Sequence, residues 1–187
     1  AHICGDAVDM DPVLELARKH DLYVVEDCAQ SHGASYKGQP LGTLGDIAAF
    51  STMFGKHHCT GGQGGIVYTQ NEELHWWGRR FADRGKPFNM EGTGGNVIAG
   101  INCNLNDLSA AIGSAQVAKL NMITGNRNQV GNAIRDALVD AGLGITVGWQ
   151  VPDSESSYWF LRLHFAAERF SVDKNAFCSA LAAEGIP

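Results

Sequence analysis

The chain has 187 residues, of which 44% are hydrophobic and 18% are charged, a balance typical of globular proteins. Its formal net charge of −6 and the lack of any Lys/Arg run argue against a nucleic-acid or membrane-surface role. No apolar run reaches the roughly 20 residues that a membrane-spanning helix needs. The 5 cysteines are widely spaced and form no CxxC pair, which favours a reducing cytoplasm over a disulfide framework.

The first part of the chain has the alternation of helices and strands that is typical of α/β proteins. Asp11 and Pro12 predict the N-cap and the first position of a helix. Residues 36–46 are rich in turn formers and predict a small hairpin or loop. Buried strands are predicted at residues 22–27, 47–52 and 64–69.

The later part of the chain is mostly helical. Helices are predicted at residues 73–85, 106–120, 126–143 and 171–185, and strand-like alternation occurs at residues 145–149 and 156–165. A change of domain near residues 121–125 divides the chain into residues 1–122 and residues 123–187. Because the sequence begins AHICGD without Met and stops just after a predicted helix, we expect a piece of a longer chain.

One lysine stands between a predicted strand and a glycine-rich loop in FSTMFGKHHCTGGQGGIVYT, residues 50–69. A P-loop is disfavoured, because its lysine follows the glycines of GxxxxGK[ST] and Lys56 precedes them. A surface lysine and a covalent nucleophile both stay open; the nucleophile needs an amine held at a strand end and partly desolvated. A metal site at His57, His58 and Cys59 is disfavoured, since three consecutive residues rarely bind one tetrahedral ion.

Two acids, Glu26 and Asp27, end the first predicted strand. They point to opposite faces, so one of them faces the edge where open α/β sheets bind ligands. Taken alone, either acid is more simply a solvated strand end. Together with Lys56, however, an aspartate at a strand end is what pyridoxal phosphate (PLP) chemistry requires: the lysine binds the cofactor covalently, and the aspartate keeps the pyridine nitrogen protonated.

These residues resemble the sugar aminotransferases of the DegT/DnrJ/EryC1/StrS family. The matching motifs follow the family's order: Glu26-Asp27-Cys28-Ala29-Gln30, Gly42-Thr43-Leu44-Gly45-Asp46, Phe50-Ser51, Lys56 and Thr60 to Gly65. Residues 100–120, GINCNLNDLSAAIGSAQVAKL, resemble the family's G-x-N-x-R…AA-x-G-x-x-Q-L stretch. The resemblance covers nearly all of the chain.

The resemblance implies the α/β fold of PLP-dependent transferases (aspartate aminotransferase, fold type I), with residues 1–122 as part of the large PLP-binding domain and residues 123–187 as the start of a small α+β C-terminal domain. It implies transamination of a nucleotide-linked keto-sugar, in deoxyaminosugar biosynthesis for a polysaccharide, O-antigen or glycosylated metabolite. The amino donor would be glutamate or glutamine, the cofactor pyridoxal 5'-phosphate. We expect a cytoplasmic homodimer with shared active sites and no nucleic-acid or membrane partner. Because the family's chains are much longer, the isolated chain is expected to be inactive.

The resemblance also assigns roles to matching positions. Lys56 would bind the cofactor covalently and shuttle the proton, and Asp27 would pair with the pyridine nitrogen. Gln30 would contact the side of the ring that carries the phenolic oxygen, and Ser51 would donate to the phosphate. Asn102 would reach the phosphate in a neighbouring subunit's site.

The chain departs from the family pattern at several points. Gln63 stands where glutamate is usual, in a loop with one extra glycine, and Asn104 stands where arginine is common. One branch of the family has histidine in place of the lysine and performs 3-dehydration; the spacing favours Lys56 over His57 and hence transamination. A catalytically silent sugar-nucleotide-binding relative is the other alternative. His32 is expected either beside the site or packed in the core, and no metal site is expected.

Overall fold

The computed structural model describes residues 1–148 and 150–186. Its helices are α1 (Met10–Lys19), α2 (Glu72–Ala82), α3 (Asp107–Val117), α4 (Leu120–Ala141) and α5 (Lys174–Ala183). Its strands are β1 (Val25–Asp27), β2 (Ser35–Tyr36), β3 (Gln39–Pro40), β4 (Ile47–Ser51), β5 (Gly65–Tyr68), β6 (Ile145–Val147), β7 (Ser154–Glu155) and β8 (Leu163–Phe165). Within these residues, every helix is too short or too polar to cross a bilayer.

Three small sheets organise the chain. In the first, β4 lies between β1 and β5 and pairs parallel with β1 and antiparallel with β5. In the second, the β2–β3 hairpin is extended by β7, and in the third, β6 pairs antiparallel with β8. The sequence predicts a small hairpin or loop at residues 36–46; a hairpin is present at residues 35–40, and β7 ties it to a distant part of the chain.

The first helix begins earlier than its sequence predicts. Met10 is its first residue and Asp9 is at its N-cap, so the prediction of Asp11 as N-cap is wrong. The carboxylate of Asp9 accepts a hydrogen bond from Tyr36 Oη at 2.8 Å instead of capping the helix. Pro12 is tolerated inside the first turn, because N–H groups there have no partner within the helix.

The core lies between α1, the hairpin and the β1–β4 pair. Its buried members are Ala7, Met10, Cys28, Ala34, Tyr36, Leu41, Ala48 and Val151. The predicted strands at residues 22–27, 47–52 and 64–69 are present in shortened form, but β5 is not buried: all of its residues are exposed. In the part of the chain that the structure describes, nothing covers the outer face of β5, where Val67 is 65% exposed.

Three of the later helices have a side-chain N-cap. Asn71, Asn106 and Asp173 each accept a hydrogen bond from a backbone N–H in the first turn of α2, α3 and α5. Helix α4 starts at Leu120 and continues straight through residues 121–125, so the chain crosses the predicted domain boundary as a helix; the division into domains stays a prediction.

The strand predicted at residues 156–165 forms only as β8, at its end. Before it, Ser157 N donates to Gly5 O at 3.0 Å and Phe160 N donates to Cys4 O at 3.3 Å. Tyr158 has a φ of +45°, which no regular strand adopts. The predicted strand at residues 145–149 forms as β6, and its last residue, Trp149, lies outside the described residues.

Candidate active site

The carboxyl ends of β1 and β4 lie side by side. Asp27, the last residue of β1, pairs with Ala49 of β4. Cys28 N donates to Ala49 O at 2.8 Å, which extends the ladder one step beyond β1. β4 ends at Ser51. The side chains that follow these two strands are therefore collected at one edge of the sheet, the place where open α/β sheets bind ligands.

The two adjacent acids of β1 have different surroundings, because Glu26 is buried and Asp27 is exposed. The carboxylate of Glu26 accepts hydrogen bonds from backbone N–H groups of the Gly42–Gly45 turn at 2.6 to 2.8 Å, and from His2 Nε2 at 3.0 Å. Burial alone would raise the pKa of Glu26, but these hydrogen bonds outweigh it and the pKa is lowered. Glu26 thus holds the turn against β1, and Asp27 is the acid that stays open at the strand end.

The segment after β1 is shaped by local hydrogen bonds. Asp27 Oδ1 accepts from Ala29 N at 3.0 Å and closes an Asx turn. Gln30 Oε1 accepts from Cys4 N at 2.7 Å, which orients the side-chain amide. The amide nitrogen of Gln30 carries two further donors. The turn therefore places a carboxylate and an oriented amide within a few residues of each other.

The loop between β4 and β5 is closed at its base by two threonines. Thr52 N donates to Gly64 O at 2.8 Å, Thr60 N donates to Thr52 O at 2.9 Å, and the two hydroxyl oxygens lie 3.0 Å apart. A Cβ atom at Gly64 would lie 2.6 Å from Thr52 Oγ1 and 2.7 Å from Thr60 Oγ1, so a larger residue does not fit without a shift. This close approach requires glycine, and the closed base holds the stretch that carries Lys56.

Lys56 lies in this loop, and its N–H donates to Met53 O at 2.9 Å. Its side chain is partly buried. Burial lowers the pKa of the Lys56 amine, while the negative charge of Asp27 acts in the opposite direction. The lysine and the aspartate on which the PLP prediction rests therefore interact electrostatically at one edge of the sheet.

Ser51 lies at the end of β4, between the strand and the lysine loop. Its Oγ accepts from Met53 N at 3.3 Å. A hydroxyl can accept and donate at once, so Ser51 retains a donor toward the edge. Asp27, Gln30, Ser51 and Lys56 all follow or end the two neighbouring strands.

Asn102 lies beside the end of α2. It forms an isolated antiparallel bridge with Asp83, the C-cap residue of that helix, and its Oδ1 accepts from Asn104 N at 3.1 Å. Asn104 Nδ2 in turn donates to Asp83 Oδ1 at 3.0 Å. None of these contacts joins Asn102 to Asp27 or Lys56 within the described part of this chain.

Three histidines are buried together next to the lysine loop. The ring centroid of His32 lies 6.4 Å from that of His57 and 6.3 Å from that of His58. Burial lowers the pKa of His32 and of His57 to about 4, so both rings are neutral at pH 7. Among the described residues, the ring nitrogens of His32 and His57 have no hydrogen-bond partner. His32 is thus packed in a histidine cluster, and the positive charge that lowers the pKa of His57 most is Arg127.

A separate cluster consists of His2, Glu26 and Cys28, whose candidate ligand atoms lie within 4.8 Å of one another. Both nitrogens of His2 are engaged, because Nε2 bonds Glu26 and Nδ1 accepts from Val8 N at 3.1 Å. Burial raises the pKa of the Cys28 thiol to about 12, which keeps it protonated. The side chains of His2, Glu26 and Cys28 therefore form hydrogen bonds and packing contacts within the core.

Trp159 is the neighbour of Lys56 that sequence reasoning missed. Its indole Nε1 donates to Gly55 O at 3.1 Å, and Lys56 Nζ lies 3.6 Å from its ring centroid. Residue 159 lies in a stretch whose alternation predicts a strand, and no motif connects it with the lysine. The contact arises because the backbone of residues 157–160 packs against Cys4 and Gly5.

Comparison with known proteins identifies the wider group. GDP-perosamine synthase of Caulobacter vibrioides is 32% identical over 99% of this chain, which spans 49% of that protein. The dTDP-3-amino-3,4,6-trideoxy-alpha-D-glucose transaminase of Streptomyces venezuelae is 34% identical over 82% of this chain and 39% of its own length. The X-ray structure of the aminotransferase from Psychrobacter cryohalolentis matches 100% of this chain and 51% of its own, with 30% identity and a TM-score of 0.87.

The chain thus spans about half the length, or less, of the relatives it matches. The structural match confirms the predicted fold, an incomplete PLP-dependent transferase fold of type I. The profile of the DegT/DnrJ/EryC1/StrS aminotransferase family matches residues 1–187. The chain therefore belongs to the DegT/DnrJ/EryC1/StrS aminotransferase family.

Proposed function

We propose that this chain carries the lysine-bearing part of a PLP-dependent aminotransferase that acts on a nucleotide-linked keto-sugar, with glutamate or glutamine as amino donor. The observation that carries the proposal is the placement of Asp27 at the end of β1 and of Lys56 in the loop that follows the neighbouring, parallel strand β4. The negative charge of Asp27 favours the ammonium form of Lys56 there. An amine that attacks carbonyls and a carboxylate that holds a proton on a pyridine nitrogen are the two groups that PLP chemistry needs from a protein.

The functional groups at this edge of the sheet match the functional groups of PLP. An amine is present for the aldehyde, an open carboxylate for the pyridine nitrogen and a hydroxyl for the phosphate, at Lys56, Asp27 and Ser51 respectively. The tight approach at Gly64 brings the backbone of the lysine loop close to the strand end. When bound, PLP supplies a carbonyl that condenses with amines and a ring that accepts the electrons of a carbanion.

Lys56 is proposed as the covalent attachment point and as the group that moves protons at its Nζ. Partial burial favours the neutral amine, the form that attacks a carbonyl, whereas the charge of Asp27 favours the ammonium. These opposed influences suit a group that must act as base in one step and as acid in the next.

The other three groups are proposed to bind and orient. Asp27 would accept a hydrogen bond from the protonated pyridine nitrogen. Gln30, whose Oε1 is fixed by Cys4 N, would present its amide N–H groups toward the phenolic oxygen side. Ser51 would donate its hydroxyl to the phosphate while Oγ accepts from Met53 N.

We further propose a homodimer in which Asn102 serves the partner's site. The described contacts of Asn102 are with Asp83 and Asn104 and include neither Lys56 nor Asp27, which leaves its amide nitrogen available to another subunit's site. Large apolar side chains lie open on the helices nearby; Leu108 is 80% exposed on α3. Exposed apolar surface of this kind is typical of faces that are covered by other parts of an assembly.

The names of the relatives support the substrate class. A GDP-perosamine synthase and a dTDP-aminosugar transaminase are both about one-third identical to this chain. We propose that the protein acts in the cytoplasm. Cys4 and Cys28 are buried thiols, and all 5 cysteines, which lie within the described residues, are unpaired, as expected in a reducing compartment.

The geometry favours transamination over 3-dehydration. A dehydratase reading requires His57 at the position of the cofactor-binding lysine, but His57 is buried within the histidine cluster. Lys56 is the neighbour that interacts with Asp27. A silent sugar-nucleotide-binding relative is also disfavoured, because it has no use for both Lys56 and Asp27.

Borohydride reduction of the full-length protein loaded with PLP tests the proposal. We expect a pyridoxyl group on the peptide that contains Lys56, and its loss in Lys56→Ala. Lys37→Ala, at an exposed lysine of the hairpin, is the matched control and should keep the label.

An activity assay distinguishes the aminotransferase from the two alternative functions. Incubation with glutamate or glutamine and a pool of nucleotide-linked 3- and 4-keto-sugars should release the corresponding oxo acid in the wild type and in Lys37→Ala. A label-free Lys56 with sugar deoxygenation that depends on His57 would establish the dehydratase instead. Binding of the sugar nucleotides with neither label nor turnover would establish the silent relative.

A further inference from the structure

We propose that Trp159 is a positioning residue for Lys56: its indole N–H holds the loop that presents the lysine, and its ring face holds the ammonium whenever the amine is free. This inference rests on the proposed function, in which Lys56 alternates between a covalently bound and a free amine. It assigns a role in the lysine cycle to a residue that lies in the C-terminal third of the chain.

The side chain of Trp159 contacts two consecutive residues of the loop, Gly55 and Lys56. Trp159 Nε1 donates to Gly55 O at 3.1 Å, across 104 positions of sequence. Lys56 Nζ lies 3.6 Å from the ring centroid, well inside the roughly 6 Å over which a cation is attracted to an aromatic face. Tryptophan is the best of the aromatic residues for this interaction. One contact therefore fixes the loop, and the other fixes the end of the lysine side chain.

Trp159 is held in place by groups other than the lysine. Arg127 donates from Nε to Tyr158 O at 2.8 Å and from Nη2 to Trp159 O at 2.9 Å. The backbone on either side is bonded to the Cys4–Gly5 segment, and the indole packs on Phe160 with ring centroids 4.1 Å apart. The indole is thus positioned before the lysine arrives, which is what a preorganised support requires.

The position of the ring gives the free amine a defined resting place. If Lys56 holds PLP, its amine would be covalently bound in one state of the enzyme, free in another and bound again at the end of the cycle. A free lysine side chain has four rotatable bonds and explores many positions, at a cost in entropy when it returns. Contact with the indole limits the positions that Nζ can take, and the negative charge of Asp27 further favours its charged form.

Two variants of Trp159 separate the two contacts. Trp159→Phe keeps a ring face and loses the N–H, and Trp159→Leu loses both but keeps apolar bulk. Trp77→Leu, at a half-exposed tryptophan of α2, is the control. The measurements use the full-length apoprotein. Competitive acetylation at several pH values gives the pKa of the Lys56 amine, and hydrogen exchange reports the opening of residues 53–58.

Loss of the ring face should lower the pKa of Lys56 by about half a unit in Trp159→Leu, because the ammonium loses a stabilising partner. The pKa should change less in Trp159→Phe, and exchange of residues 53–58 should accelerate several-fold in both variants. Trp77→Leu should change neither quantity. A pKa of Lys56 that is unchanged or raised in Trp159→Leu would overturn the inference, because the ring then only excludes water. Unchanged exchange in Trp159→Phe would overturn the role of the N–H.

The measurements on the Trp159 variants can be interpreted independently of the borohydride test of the proposed function. A pyridoxyl group on Lys56 together with unchanged pKa and exchange in the Trp159 variants would overturn only the positioning role. The absence of a pyridoxyl group on Lys56, with the expected pKa and exchange changes, would overturn the aminotransferase proposal and leave a lysine positioned by Trp159. If Trp159→Leu does not fold, Trp159→Phe still tests the N–H contact, and its turnover rate against its KM tests lysine return.

Discussion

Asp27 and Ala49 pair across the parallel strands β1 and β4, so the carboxylate that ends one strand stands two residues before the end of the other. This register places Asp27 opposite the segment that leads through Ser51 to Lys56. A shift of one residue would turn Asp27 to the other face and bring Glu26 to the edge. Glu26 is held against such a shift by its hydrogen bonds to the Gly42–Gly45 turn.

Asp27→Asn should reduce turnover much more than it reduces cofactor binding. The amide has nearly the same shape but no charge, so it cannot stabilise a protonated pyridine nitrogen. Loss of one group that stabilises developing charge commonly costs on the order of 100-fold in rate. We expect kcat to fall by about this factor, measured as oxo-acid release, while borohydride still labels Lys56.

Asp11→Asn is the matched control for this change. Asp11 is exposed and pairs with Lys37 on the surface of α1. Exposed ion pairs contribute little, so kcat should stay within about two-fold of the wild type. An Asp27→Asn protein with wild-type kcat would contradict the proposed role of Asp27.

Glu26→Gln should destabilise the fold. Glu26 is 2% exposed and accepts from His2, Gly42, Leu44 and Gly45, which are all donors. An amide has only one accepting oxygen, and its NH₂ group would face donors. Hydrogen bonds to a buried charge contribute about 1.5–3 kcal/mol each, so we expect a loss of roughly 2–4 kcal/mol in the free energy of unfolding, measured in urea.

The pH dependence of this effect has a definite sign. The pKa of Glu26 is lowered in the folded protein, so its contribution is complete above the unfolded pKa of about 4.3 and is lost as pH falls through the folded value. The stability difference between Glu26→Gln and the wild type should therefore shrink in strong acid. Glu15→Gln, at an exposed glutamate of α1, should behave like the wild type at every pH.

The strand ends that carry Asp27 and Ser51 could be predicted from the sequence because their motifs are local, whereas the roles of these residues stay predictions. EDCAQ, the FS pair and the glycine loop each involve only a few neighbouring residues. The caps at Asn71, Asn106 and Asp173 are equally local, since each side chain accepts from the N–H three residues later. The N-cap prediction for α1 is wrong for a reason that lies in the tertiary structure. Tyr36, 27 positions away in sequence, donates a hydrogen bond to the carboxylate of Asp9, which therefore does not cap the helix. Local pattern cannot reveal such competition.

The burial of individual strands and the contacts between distant residues could not be predicted from the sequence. Val67 and Ile66 in β5 have the composition of a buried strand, yet burial depends on what packs against them. The contact of Trp159 with Gly55 spans 104 positions and depends on the path of residues 157–160. A single sequence contains no pattern that pairs such distant positions.

The buried histidines should make the protein sensitive to mild acid. Burial lowers the pKa of His32 and His57 from 6.5 to about 4. Because the unfolded state binds protons first, their contribution to stability is complete above about pH 6.5 and is lost as pH falls toward 4. A shift of this size corresponds to up to about 3 kcal/mol for each histidine. We expect the urea midpoint to fall steeply between pH 6.5 and 4.5.

His57→Leu should remove part of this slope while leaving the fold intact at pH 7, because leucine needs no hydrogen bond at a site where both ring nitrogens lack one. His20→Leu is the control, at an exposed histidine that follows α1. A slope that is the same in His57→Leu, His20→Leu and the wild type would show that His57 is not among the groups responsible.

Two glycines of helix α4 should respond in opposite ways to alanine. A Cβ atom at Gly131 would lie 2.7 Å from the ring of Tyr158, whereas one at Gly125 meets nothing within 4 Å. Tyr158 precedes Trp159, and Arg127 of the same helix holds the carbonyls of both. Gly131→Ala should therefore push Tyr158 out of place and lower the free energy of unfolding by about 1–3 kcal/mol.

Gly125→Ala should instead raise the free energy of unfolding by about 0.5–1 kcal/mol, because alanine favours the helix and reduces the freedom of the unfolded chain. Urea unfolding of both variants measures the contrast. Because Tyr158 and Trp159 are adjacent, Gly131→Ala should also accelerate hydrogen exchange at residues 53–58, and Gly125→Ala should not. Equal effects of the two alanines would mean that α4 does not support the tryptophan that contacts Lys56.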